Sequence, residues 1–153
     1  MEKIAQQVRK ILIALVLSFF TPAVLALYIP ITLTNTTEYL LQNGQDGYEP
    51  SGPANVCSSV CITSFNKEIS ERNTPSPVMT LEIRTEATAS HCAWFTYDVM
   101  DTAGNNFGNI TGEYCPFQTE PVKAWSNSPV VILIPHQVRG QSTFDLINAP
   151  KQK

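Results

Sequence analysis

Two histidines, four cysteines and a scatter of carboxylates are the side chains through which this chain could do chemistry. His91 and His136 are the candidates for a general base, because imidazole alone titrates near neutrality without help. A histidine enzyme also needs a partner for the ring, and the sequence contains no G-x-S-x-G, no H-E-x-x-H and no paired-carboxylate segment. Glu113 and Asp145 are carboxylates that the fold would have to bring to one of the rings. Cys57, Cys61 and the pair His91-Cys92 carry the right donors for zinc, yet the C-x2-C or H-x3-H spacing of a metal site is missing, so neither a metal nor a cofactor is expected. Asp98, Asp101, Asn105, Asn106 and Asn109 could offer oxygens to calcium. They match no EF-hand spacing, and turn formation accounts for them.

Positioning any of these groups is the task of the chain beyond residue 26, because residues 1–26 read as an address. Lys3, Arg9 and Lys10 precede the apolar run Ile11–Phe20, Pro22 interrupts it, and Val24 and Ala26 supply the small residues of a signal-peptidase site. Cleavage is expected after Ala26. An uncleaved anchor is the competing reading, since the apolar character from Ile11 to Ile29 is about long enough to cross a bilayer; it is the one route by which the membrane enters as a partner. Loss of residues 1–26 removes three basic residues and one acidic one, which moves the net charge from -3 to -5. That balance argues against a nucleic-acid partner, and the predicted location is periplasmic or secreted.

The mature chain, residues 27–153, alternates with a period of two. Leu27, Ile29, Ile31 and Leu33 form one face of a first strand, Met79, Leu81 and Ile83 one face of another, and Phe144 and Leu146 one face of the last. Val130–Ile134, bounded by Pro129 and Pro135, is apolar on both sides and reads as a central strand. No stretch after Ala26 offers three turns of helical periodicity with a cap. The expected fold is therefore a single all-β domain, an antiparallel β-sandwich of immunoglobulin-like architecture, with a small β-barrel as the alternative. The Cys-Trp-Cys spacing of antibody domains is absent, so that likeness is architectural. Residues 42–77, rich in Gly and Pro, are expected to form a long loop.

One hairpin can be placed residue by residue. Asp101-Thr102-Ala103-Gly104-Asn105-Asn106 is turn chemistry between two strand-like runs. A tip at Ala103-Gly104 sets Phe95 opposite Gly112, Tyr97 opposite Ile110, Val99 opposite Gly108 and Cys92 opposite Cys115. The last pairing predicts a Cys92–Cys115 disulfide and leaves Cys57–Cys61, which closes only if its segment turns. In the same register Trp94, Met100 and Phe107 share the outer face, a candidate binding surface unless a loop or second sheet covers it. Trp125 has no assignment from sequence. Asn35-Thr36-Thr37 and Asn109-Ile110-Thr111 match the N-glycosylation acceptor pattern.

With 153 residues, 43% hydrophobic and 15% charged, the chain is long enough for one domain and too apolar for disorder. The missing catalytic motifs beside an export signal point to a disulfide-stabilised domain with a binding role toward a protein or glycan of the envelope or extracellular space. A small secreted enzyme using His136 or His91 with a carboxylate is the first alternative. The second is a surface-assembly subunit or membrane-active factor.

Overall fold

A computed structural model describes residues 26–48, 57, 59–72, 75–138 and 141–150. The expected leader lies outside them except for Ala26. The described residues form ten strands in chain order: β1 (Leu27–Asn35), β2 (Leu40–Tyr48), β3 (Val60–Phe65), β4 (Glu68–Ile69), β5 (Ser76–Ile83), β6 (Ala93–Met100), β7 (Asn106–Tyr114), β8 (Val122–Ser126), β9 (Val131–Val138) and β10 (Gln141–Asn148). They build two five-stranded sheets, β3-β5-β1-β10-β9 and β4-β2-β6-β7-β8. The inner faces meet through aromatic pairs. Phe95 of β6 sits edge-on to Phe144 of β10 at 5.1 Å, and Phe65 of β3 stacks on Tyr97 of β6 at 5.7 Å. The chain is thus a two-sheet β-sandwich with two disulfides, Cys57–Cys61 and Cys92–Cys115. Its neighbouring strands are antiparallel except β1 and β10, which run parallel from Ile31 opposite Ser142 to Asn35 opposite Leu146.

The period-two reading holds where one face is buried. Ile31, Leu33, Leu81, Phe144 and Leu146 are all in the core, because alternation places every second side chain on the inner face. Two expectations are corrected. The run around Val131–Ile134 is not central: β9 is the edge of its sheet, and Ile132 is exposed on it. Its apolar character is used at a corner of the sandwich, where β8 of the other sheet lies against β9 and Ser126 Oγ donates to Val131 O at 2.8 Å. Nor is 42–77 one loop, since most of β2, all of β3 and β4, and the start of β5 fall within it. Gly44 and Gly47, two of the glycines that suggested a loop, are covered by rings. A Cβ on Gly44 would fall among the atoms of Tyr97 and Phe65, and one on Gly47 would fall inside the indole of Trp94. An aromatic ring laid over a strand glycine replaces the packing the glycine lacks.

The hairpin forms in the expected register over most of its length: Ala93 to Asp98 pair with Tyr114 to Asn109, which includes Phe95 with Gly112 and Tyr97 with Ile110. Beyond Asp98 the register shifts, and Met100 pairs with Asn106. Gly108 takes φ +94° there, and a Cβ on it would meet Asn127 O at 2.7 Å. The extra residue is a bulge, and it turns the following side chain to the other face. Opposite Gly112, the Phe95 ring occupies the volume a Cβ would need, and Phe144 Cε1 would lie 3.0 Å from that Cβ. Gly112→Ala should therefore cost about 1–3 kcal/mol by overpacking, read as a lowered denaturant midpoint; an unchanged midpoint would contradict this packing.

Tyr97 lies in the centre of the core and donates its hydroxyl hydrogen to Asn66 O. Burial, then the charge of Asp46, raises its pKa well above the ordinary phenol value. A folded pKa above the unfolded one gives a contribution that is complete below about pH 10 and lost as pH rises through the folded value. Ultraviolet titration of the phenols should show Tyr97 ionising only with alkaline unfolding, whereas a Tyr97→Phe variant should lack that late step.

Candidate functional site

Alternation along β6, β7 and β8 decides what the outer face of the second sheet presents. Ala93, Phe95, Tyr97 and Val99 point inward and are buried, so Trp94, Thr96, Asp98 and Met100 point out. On β8, Val122 and Ala124 pack against the core, leaving Lys123 and Trp125 outward. Strand pairing arranges these side chains in rows: Gly47, Trp94, Glu113 and Lys123; then Gln45, Thr96, Thr111 and Trp125; then Gln42, Asp98 and Asn109. Thr96 Oγ1 and Thr111 Oγ1 are 2.9 Å apart, Lys123 Nζ lies 3.4 Å from Glu113, and Asn127 Nδ2 donates to Asn109 Oδ1 at 3.1 Å. Trp125 is 49% exposed. From the strand spacing and the rise along each strand, the two tryptophans stand about 12 Å apart at their Cα atoms.

The expected trio divides. Trp94 and Met100 are outward on β6, but with Thr96 and Asp98 between them they make no continuous apolar strip. Phe107 is turned inward by the bulge, packs against the core, and meets Tyr39 edge-on at 5.4 Å. The Cys92–Cys115 bridge, at the open end of the same hairpin, is buried. Gln118 covers it, with its Nε2 3.5 Å from Cys92 Sγ and donating to Ala89 O at 2.9 Å. Trp125 is the aromatic that sequence reasoning left unassigned. Its signal lies in Val122-Lys123-Ala124-Trp125, a period-two segment whose apolar members fix the tryptophan on the opposite side.

The remaining chemistry-bearing residues are not assembled into a catalytic pocket among the described residues. His91 Nδ1 accepts from Thr88 N at 2.9 Å, so the ring caps a turn with its proton on Nε2. His136 Nε2 does reach Asp145 Oδ2 at 3.0 Å, across β9 and β10, but the two side chains are 44% and 42% exposed on the open outer face of the first sheet. Cys92, Cys115 and Glu113 offer ligand atoms close together. The two sulfurs are bonded to each other and Glu113 faces Lys123, so no thiolate is available to a metal. Likewise the sulfurs of the zinc reading, those of Cys57, Cys61 and Cys92, are consumed by the two bridges.

Of the side chains considered for calcium, Asp101 and Asn106 use their oxygens in the turn. The Asp101 carboxylate accepts from Ala103 N, Asn105 N and Asn105 Nδ2 at 2.8–2.9 Å, and these bonds, that from the Asn105 side chain foremost, hold its pKa below the ordinary value. Asn106 Oδ1 accepts from Gly108 N at 2.7 Å. At the same end of the sandwich, an open cleft of about 450 Å³ is lined by Glu38, Tyr39, Glu71, Arg72, Asp101, Thr102 and Phe107.

Asn35, the first glycosylation candidate, is fully buried. Its Nδ2 donates to Tyr39 O at 2.7 Å and Ser70 O at 3.0 Å, and its Oδ1 accepts from Thr37 N at 3.0 Å and Thr37 Oγ1 at 2.7 Å. The side chain is a structural joint between β1, the turn into β2 and the end of β4, and it is closed to modification in the folded domain. Comparison with known proteins returns no family model, no curated relative and no solved structure that matches the chain.

Proposed function

We propose that this protein is a non-enzymatic binding domain, exported to the periplasm or beyond, that engages its partner through the outer face of its second sheet. Two structural disulfides belong to an oxidising compartment, and the leader-like first segment agrees with that compartment. The observation that carries the binding reading is Trp125. A half-exposed tryptophan on a regular strand, sharing a face with Trp94, leaves apolar surface in water that a partner would cover.

A photo-crosslinking residue at position 125, in the cells that make the protein, should give a defined adduct, and the same residue at Ile132, on the outer face of the first sheet, should not. Adducts from neither position, or equally from both, would remove the support for this face. One contact favours a second reading, a small secreted enzyme, because His136 and Asp145 stand at hydrogen-bonding distance. Under that reading a broad substrate screen gives turnover that His136→Ala abolishes.

A further inference from the structure

Resting on the binding reading above, we propose that the partner is an uncharged polysaccharide chain laid across β6, β7 and β8. The first argument is charge. Glu113 and Lys123 cancel each other at 3.4 Å, and Lys123 Nζ also donates to Gln118 Oε1 at 3.0 Å. Asp98 stands in the third row, and Glu68 on β4, at the far edge, accepts from Gln42. The half of the face that carries both indoles therefore has no net charge, in a domain whose expected mature charge is -5. Neither a polyanion nor a polycation finds a complementary field there.

The second argument is the kind of polar group present. Gln45, Thr96, Thr111 and Asn109 each offer both donors and acceptors, which suits hydroxyl groups that both give and take hydrogen bonds. Indole faces carry partial negative charge and match the C–H faces of sugar rings. The third argument is shape. The two tryptophans stand about 12 Å apart at their Cα atoms, on a sheet rather than around a cavity, and the Trp94 indole lies over Gly47 of β2, away from Trp125, so the surface fits a chain of several sugar units better than a single one. Another protein, or a second copy of this chain, would have to bury these amide and hydroxyl rows around only Trp94, Trp125 and Met100 as apolar anchors, the reverse of an apolar interface core with a polar rim.

The test is electrophoresis of the purified disulfide-bonded protein through gels containing hydroxyethylcellulose, laminarin or soluble chitin oligosaccharides, with heparin as the charged control. At least one uncharged polymer should retard the protein. Trp125→Ala and Trp94→Ala should each weaken that retardation about tenfold or more, Ile132→Ala should leave it unchanged, and added salt should have little effect because no ion pairs form. Retardation by none of the uncharged polymers, or by heparin alone in a salt-sensitive way, overturns the proposal. So does retardation that Trp125→Ala does not change. A protein adduct from position 125, or a dimer by sedimentation that Trp125→Ala dissociates, would overturn the polysaccharide while leaving the binding face standing. If position 125 gives no adduct and no polymer retards the protein, the face itself fails.

Discussion

Alanine at both Cys92 and Cys115 is expected to lower the unfolding free energy by about 3 kcal/mol, the chain-entropy value for a loop of some two dozen residues, with a fall in Tm of roughly 10 °C for a domain of this size. Both cysteines are buried under Gln118, so the lost sulfurs also leave a void that the entropy figure omits. The same substitution at Cys57 and Cys61 should cost less, about 2 kcal/mol, because the loop it closes is short. That loop has a second tether as well. Arg84 Nη1 donates to Cys57 O at 2.7 Å while its Nε pairs with Glu82 at 3.0 Å. Calorimetry of the two double variants would check the ranking; equal losses would mean that loop size does not set what each bridge contributes.

Asn35→Ala should be comparably damaging, at roughly 3 kcal/mol. The substitution deletes no apolar volume of note; its cost lies in what it strands. Tyr39 O, Ser70 O and Thr37 N all lose the partner that the buried Asn35 side chain supplies, and each buried polar group left unsatisfied costs about 1–3 kcal/mol unless the turn relaxes. Asn35→Asp separates donors from acceptors. It keeps the bonds from Thr37, loses those to Tyr39 and Ser70, and buries a carboxylate against two carbonyl oxygens, so it should be at least as destabilising as alanine. Denaturant titration of both variants decides the matter, and an aspartate variant as stable as the native protein would show that the two carbonyl contacts contribute nothing.

Much of this sandwich was legible in the sequence because the physics involved is local. In β1, β5, β6 and β10 one face meets the core and the other meets water, which forces the alternation that marks them. The hairpin register came from turn residues at Asp101–Asn106 and from the need to place Gly112 against a large ring. The misreadings have non-local causes. Gly44 and Gly47 marked a loop only because the rings that cover them, from Tyr97, Phe65 and Trp94, come from strands distant in sequence. Val131–Ile134 resembled a central strand because both its sides are apolar, yet only the inward Val131 and Leu133 are buried, while Ile132 on the other side of an edge strand is exposed. Phe107 changed faces through one bulge, and a single inserted position in a period-two pattern exchanges every side chain beyond it. The candidate site was half legible for the same reason: Trp94 and Met100 precede the bulge, whereas Trp125 becomes their neighbour only when β8 joins the sheet.

The parallel pairing of β1 with β10 makes the first sheet hostage to the end of the folding segment. Thr36 Oγ1 donates to a carbonyl 110 positions away, at Leu146, so β1 waits unpaired on that side until nearly all of the domain is present. Contacts at such separation are formed slowly, since the chain entropy is lost before the pairing returns anything. The second sheet faces no such delay: β6, β7 and β8 are consecutive, and the Cys92–Cys115 bridge can lock their hairpin early. Assembly should therefore run from the second sheet outward. Through most of that sequence the side of β1 that β10 will cover, with Ile31 and Leu33, stays open.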